Sequence, residues 1–438
     1  MSFPLEASTA NTPAMSDLRK LAAEELRSRR DELRVQHEEF RKRGLKLDMT
    51  RGKPAPAQLD LARGLLDSLD ADHIKSQDGT DVRNYGGLDG ISEMKRLFSE
   101  ILGVPTAQIV VGGNSSLQMM HDTVVRALMH GVPDGDAPWL RTQPKFICPA
   151  PGYDRHFSIC QHLGIDMLVV DQHQDGPDVD SIERLVAADP SIKGLWCVPK
   201  YSNPTGVTCS VEVVERLASM KSAAPDFRLF WDNAYAVHDL YESGDELSDI
   251  LSACERAGHP NRAVVFASTS KMSFAGAGVA AMASSLANVA DAKKHLSFQT
   301  IGPDKLNQLR HARFFGTGDG LRAHMRKLAE VIRPKFDIVT RILDRELGGK
   351  EIAQWTKPRG GYFVSLDTLD GCASAVVRMA DQAGVKLTPA GATFPYGKDP
   401  RDRNIRIAPT FPPLEQVELA MQVLAVCVEL ASVERLLQ

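Results

Sequence analysis

The sequence predicts an α/β protein: a mostly parallel seven-stranded sheet, helices on both its faces, and a smaller α+β domain beside it. Three observations carry this expectation. Short apolar runs recur from about residue 92 onward. Helical patterns such as SIERLVAA (181–188) and VEVVERLASM (211–220) lie between them, and polar residues cluster immediately after the runs. Apolar strands alternating with crossover helices favour parallel pairing, with both sheet faces covered.

The first twenty residues, MSFPLEASTANTPAMSDLRK, lack the basic-then-apolar order of a signal peptide, and their small polar side chains predict a frayed arm. Residues 17–43 are charge-rich, with Leu and Ala on one side, and predict one amphipathic helix packed on the body. LDMTRGKPAPAQLD (47–60) is punctuated by Gly and Pro and predicts a loop. The strand candidates follow: QIVVGG (108–113), PKFICPA (144–150), DMLVVD (166–171), GLWCVP (194–199), RLFWDN (228–233), AVVFAS (263–268) and GVAAMASS (278–285). Residues 319–348 form a long helical pattern containing Pro334, which predicts a break or kink and a domain junction nearby. GGYFVSLD (360–367) and the helical pattern after Pro413 predict the smaller domain. The expected division is an arm and helix over 1–60 that join the small domain, a large α/β domain over 61–325, and the rest of the small domain over 326–438.

Composition narrows the function classes. The 438 residues are 43% hydrophobic with a formal net charge of −4, which gives no electrostatic case for nucleic acid or a membrane surface. No apolar run is expected to approach the roughly 20 residues a membrane helix needs. Seven cysteines, an odd number with no C-x-x-C pair, predict reduced thiols in a cytoplasmic protein and neither a disulfide frame nor a zinc site. His121, His156 and His238 do not stand at ligand spacing, so they read as structural or as supports behind a site residue, and no metal is expected.

In open α/β sheets ligands bind beyond the carboxyl ends of the strands. The polar residues there are Asn114, Ser115 and Ser116 after the first run, Tyr153 after the second, then Asn203, Asp232, and Ser268 to Lys271. A single lysine after a strand most often sits on a surface loop, since its ammonium is costly to bury. Its company decides otherwise. APGYDRHF (150–157), YSNPTGV (201–207), FWDNAY (230–235), STSK (268–271) and NIRIAPTF (404–411) stand in order.

That ordered set resembles the class I, fold-type I aminotransferases that use pyridoxal 5′-phosphate. With DMTRGKPAP and TIGPDKLNQLRHARF (300–314), it is most similar to the bacterial aspartate aminotransferase-like subgroup. The resemblance spans roughly residue 45 to the end. It implies that Lys271 holds the cofactor as a Schiff base and, once released, moves the proton between the substrate α-carbon and cofactor C4′. It implies that Asp232 keeps the pyridine nitrogen protonated, that Tyr235 and Asn203 share the cofactor O3′, and that Tyr153 stacks on the ring. Asn114, Ser115, Ser116, Ser268 and Ser270 are the implied phosphate donors. Tyr85, in NYGGLDGISEMKRLF (84–98), is the implied tyrosine that crosses a homodimer interface to the neighbour's phosphate. Gly52, Asn203 and Arg406 are the implied substrate contacts, with the Arg406 guanidinium clamping the α-carboxylate.

One departure stands out. Many family members carry a phosphate-binding arginine a few residues after the lysine, whereas this chain reads MSFAGAGVA and has no arginine between Lys271 and Lys293. Lys305 and Arg313 are the possible substitutes. The expected reaction is transamination between an amino acid, aspartate or glutamate, and a 2-oxo acid, 2-oxoglutarate. The second cation that a side-chain carboxylate needs is open among Arg51, Lys53, Arg310 and Arg313. The rival readings are an aminotransferase for aromatic or other neutral amino acids, a β-lyase on the same fold, and the aminotransferase-like effector domain of a transcription regulator. The last needs a DNA-binding module, whereas the roughly 45 residues before the resemblance read as one helix and the charge balance is not basic, which disfavours it.

Overall fold

The computed structural model of the chain describes residues 17–438. Most of the expected frayed arm, residues 1–16, lies outside the described residues. Its last part is ordered: Leu18–Lys20 is a 3-10 turn, and Leu18 is buried among apolar side chains of both chain ends. The amphipathic helix follows at Ala23–Lys42.

Among the described residues, thirteen strands form three sheets. In chain order they are β1 Leu47–Asp48, β2 Ile109–Val111, β3 Lys145–Ala150, β4 Asp166–His173, β5 Gly176–Pro177, β6 Ile192–Cys197, β7 Arg228–Asp232, β8 Ala263–Ser268, β9 Ala280–Ser284, β10 Ala353–Trp355, β11 Val364–Thr368, β12 Val385–Lys386 and β13 Asn404–Ile407. The main sheet has the order β2-β9-β8-β7-β6-β3-β4-β5. Strands β8, β7, β6, β3 and β4 pair in parallel, while β9 runs antiparallel to both its neighbours. Each of the seven expected runs overlaps a strand. The eighth, β5, turns back on β4 through the pairs Gln172–Pro177 and His173–Gly176, and two residues are too short to leave an apolar run in the sequence.

Alternation along the strands feeds two cores. Ile147, Leu195, Leu229, Trp231 and Val265 pack on one face with Met94, Leu97 and Phe98 of the helix Ser92–Leu102. Phe146, Cys148, Trp196, Phe230, Val264 and Phe266 pack on the other with Met120, Val124 and Ala127 of the helix Ser116–His130. The period of two along a strand sends neighbouring side chains to opposite faces. All seven cysteines are buried and free.

A third core joins the helices Ala23–Lys42 and Leu414–Leu436 to β11 and β13. The helix Gly318–Leu347 corrects the expectation of a break at Pro334, because it continues through that residue. Its Leu321, Met325 and Leu328 belong to the first sheet core, and Ile332, Phe336 and Val339 belong to the third. An internal proline costs about 3 kcal/mol, while each large apolar side chain buried returns about 1.5–3 kcal/mol. Packing on both sides of Pro334 therefore outweighs the lost hydrogen bond. The helix Leu414–Leu436 corrects another expectation, that no apolar run approaches membrane-spanning length. It is the one described helix long and apolar enough to cross a membrane, with a mean hydropathy of 1.5. Here Val417, Met421, Leu424 and Val428 fill the third core. Its buried Glu429 is paired with Arg29 and Lys350 at 2.7 and 2.6 Å.

Candidate active site

Because the central strands are parallel, their carboxyl ends share one edge, and the chain brings its candidate site residues there. Asp232 is the last residue of β7 and Ser268 the last of β8, and these strands are adjacent. Tyr153 follows β3 by three residues and Asn203 follows β6 by six. The parallel register thus gathers residues that are far apart in sequence.

Asp232 is buried, and its two carboxylate oxygens differ. Oδ2 accepts a hydrogen bond from His156 Nε2 at 3.0 Å, whereas Oδ1 is sealed from solvent with no donor among the described residues. A buried carboxylate oxygen without a partner is costly and uncommon. His156 is itself stacked on Trp196, with ring centroids 4.4 Å apart, and meets Tyr153 edge-on at 5.0 Å. His156, expected to be structural or to support a site residue, is therefore the residue that orients Asp232.

Lys271 sits in a tight loop closed by Thr269, whose N–H donates to the Val279 carbonyl at 2.8 Å and whose hydroxyl accepts from Val279 N–H at 2.9 Å. Its Nζ lies 5.1 Å from the centre of the Tyr235 ring and 5.9 Å from that of Tyr362. Burial lowers the Lys271 pKa from the usual lysine range, with the Asp232 charge opposing the shift. Burial likewise raises the phenols of Tyr153 and Tyr235, so both stay protonated at neutral pH. His238 also lies beside this lysine. Its pKa is lowered to about 3 by burial first and then by the charges of Lys271 and Lys200. Neither ring nitrogen of His238 has a partner among the described residues.

The expected phosphate donors converge. Ser268 Oγ donates to Ser270 Oγ at 3.2 Å, and Ser270 Oγ donates to the Asn114 carbonyl at 3.3 Å. Ser115 caps the helix Ser116–His130 by accepting from Gln118 N–H at 3.4 Å. Lys305 and Arg313 do not join this group. Lys305 Nζ donates to the Gly86 carbonyl at 2.7 Å, and Arg313 donates to the His73 carbonyl. Tyr85 is 79% exposed and makes no side-chain hydrogen bond within the described residues.

Arg406, on β13, comes to this edge from the smaller sheet. Its Nη1 donates to Asp154 Oδ1 at 3.0 Å and Asn203 Oδ1 at 3.4 Å, and its Nη2 to Thr388 Oγ1 at 3.5 Å. The guanidinium also lies 5.1 Å from the centre of the Phe363 ring. Gly52 touches the far part of that ring, where an added Cβ would stand 2.1 Å from Phe363 Cζ. The glycine is therefore a packing requirement beside the arginine. Of the other cations, Arg51 is held by Asp48 at 2.8 Å, while Lys53 lies over Phe411 at 4.4 Å.

Sequence reasoning did not find the residues that brace the lysine loop. Asn307 Nδ2 donates to the Gly278 carbonyl at 2.8 Å, His311 Nε2 meets Ser273 Oγ at 2.8 Å, and His324 Nε2 donates to the Met272 carbonyl at 2.8 Å. Gln58 donates to the Tyr362 hydroxyl, which in turn donates to the Lys271 carbonyl at 3.4 Å. One signal did exist. The glycine pair before Tyr362 is needed because an added Cβ on Gly360 or Gly361 would stand 2.1 or 2.8 Å from Tyr201.

The residues present fit pyridoxal 5′-phosphate. The unpartnered Asp232 oxygen matches a protonated ring nitrogen, Lys271 is a desolvated amine, and the hydroxyls of Ser268 and Ser270 adjoin a helix N-terminus suited to phosphate.

Comparison with known proteins agrees. A family model described as aspartate amino-transferase matches residues 21–438. An aspartate aminotransferase of Corynebacterium glutamicum is 47% identical over 405 residues, which cover 92% of this chain and 94% of that protein. The crystal structure of an aspartate transaminase from the same organism superposes with a TM-score of 0.95 at 46% identity, covering 96% of this chain and all of that one. An α-aminoadipate aminotransferase from Thermus thermophilus, complexed with N-(5′-phosphopyridoxyl)-L-leucine, shares the fold at a TM-score of 0.70 and 19% identity, over 87% of this chain and 92% of its own.

Proposed function

Since the chain belongs to the aspartate aminotransferase family and is an aminotransferase, we propose that it uses pyridoxal 5′-phosphate bound to Lys271 to exchange an amino group between aspartate or glutamate and 2-oxoglutarate. The observation that carries this reading is the buried Asp232 Oδ1, without a donor among the described residues, on the strand beside the one that leads to Lys271. When bound, the cofactor supplies an electron sink for the electrons left on the substrate α-carbon. The chain's own groups do the rest.

Asp232 holds a proton on the ring nitrogen, and His156 keeps that carboxylate in one orientation. Lys271 Nζ, with its lowered pKa, gives and takes the proton at the α-carbon. Tyr235 and Asn203 offer hydrogen bonds to the cofactor hydroxyl, and Tyr153 covers its ring. Arg406 takes the α-carboxylate in place of Asp154, its present partner. Gly52 keeps Phe363 against the guanidinium. Lys53, which forms no ion pair among the described residues, is our choice for the side-chain carboxylate. The active form we propose is a two-fold dimer in which Tyr85 reaches the neighbouring site. The exposed Phe298 and Ile301 support this, since the Tyr85 loop is tied to Ile301 through Gly86 N–H at 3.2 Å.

Borohydride reduction followed by peptide mapping tests the core of the proposal. The pyridoxyl label is expected on Lys271, and label on another lysine would overturn the assignment. A panel of amino donors with 2-oxoglutarate then reads the substrate, with aspartate and glutamate expected to lead.

A further inference from the structure

The run after Lys271 carries no arginine, yet a phosphate dianion in a partly buried site calls for a cation. Three segments converge on a cavity of about 310 Å³ at this end of the site: Gly112–Asn114 before the helix Ser116–His130, Gly276–Val279 after the lysine, and the first turns of the helix Lys305–Phe315. The third segment contributes Asp304, Asn307 and Arg310.

Asn307 ties these segments together. Its Nδ2 donates to the carbonyls of Ala277 and Gly278 at 3.2 and 2.8 Å, and its Oδ1 accepts from Arg310 Nε at 2.8 Å. The Arg310 guanidinium is thus fixed by one edge. Its two terminal nitrogens have no acceptor and no ion-pair partner among the described residues. Asp304 lines the same cavity, but its Oδ1 accepts the Asn307 backbone N–H at 2.9 Å as the helix cap. On the facing wall, Asn114 brings in Ser270 and, through it, Ser268.

We propose that Arg310 anchors the cofactor phosphate, supplying from a distant helix the positive charge that the segment after Lys271 lacks. The proposal rests on the reading that pyridoxal 5′-phosphate occupies the Lys271 site. A fork held at Nε presents two parallel N–H groups to phosphate oxygens. The Asn307 bonds fix that fork to the loop that carries the lysine.

The test compares two ligands that differ in the phosphate alone. The full-length protein, resolved of cofactor, is titrated with pyridoxal 5′-phosphate and with pyridoxal while the absorbance of the lysine adduct is followed. Arg310→Met is expected to weaken pyridoxal 5′-phosphate about tenfold or more and leave pyridoxal unchanged, with Arg310→Lys in between. Equal affinity of Arg310→Met and wild type for pyridoxal 5′-phosphate would overturn the proposal. So would an equal loss of both ligands, which would make Arg310 a brace for the loop. Failure of the wild-type protein to form the adduct at Lys271 would instead overturn the cofactor reading itself.

Discussion

At Asp232 a single charge separates the two readings, the end of a strand and the proposed holder of a ring proton. Asp232→Asn keeps the shape and the contact with His156 but removes the charge. Charge-assisted hydrogen bonds are worth roughly 1.5–3 kcal/mol, so turnover should fall at least about tenfold. Unchanged turnover would reduce Asp232 to a strand terminus. The two cations proposed for the substrate carboxylates separate by substrate. Arg406→Lys should raise KM for every amino and oxo acid, because all share the α-carboxylate, whereas Lys53→Met should raise it for dicarboxylic substrates alone. Identical profiles for the two variants would remove Lys53 from the site. His238 gives a pH dependence. Its folded pKa of about 3 lies below the unfolded 6.5, so its contribution to stability is complete above pH 6.5. Below that pH the unfolded chain binds the proton first, and stability is lost progressively towards pH 3. Between pH 7 and pH 5 the loss is about 2 kcal/mol. Urea unfolding of His238→Phe should show a shallower acid slope than wild type, and equal slopes would exclude His238 as the source.

Among the elements, the helix Gly318–Leu347 shows local chemistry yielding to packing. Pro334 removes one N–H from the helix interior, but the apolar residues on either side of it fill two different cores. Pro334→Ala should restore the hydrogen bond and stabilise the protein by about 1–2 kcal/mol, the helix gain being offset by a freer unfolded chain. Thermal unfolding reads this directly, and a lower Tm would mean that the helix depends on a bend at the proline. The loop holding Gly52 shows the converse, an element set by close approach. Gly52→Ala would push Phe363 away from Arg406, so KM should rise while the fold survives.

For the whole molecule, the prediction concerns shared sites. If Tyr85 serves the neighbouring subunit, a hybrid of Lys271→Ala and Tyr85→Ala chains carries both lesions in one site and neither in the other. Mixing the two inactive or impaired variants under subunit exchange should raise activity well above either parent. No recovery, with exchange demonstrated and a clear defect in the Tyr85 variant, would assign Tyr85 to its own subunit's site.

The strands were legible because burial on both faces forces continuous apolar runs, so β3, β7 and β8 announce themselves locally. Asp232, Asn203 and Lys271 were legible by position, because parallel pairing sends every strand's carboxyl end to one edge. β5 was not legible, since two residues carry no periodicity. The path through Pro334 was hidden too, because the energy that holds that helix together comes from cores assembled elsewhere in the chain. The same reason hid the partners. His156 on Asp232, Asp154 on Arg406, and Asn307 between Arg310 and the lysine loop are contacts across 76, 252 and 29–30 residues of sequence. Which residues are candidates for chemistry is a matter of side-chain type and strand ends, and the sequence alone named those candidates. Which residue faces which, and with which atom unpaired, depends on distances set by packing between segments far apart in the chain, and the tertiary structure alone decided that.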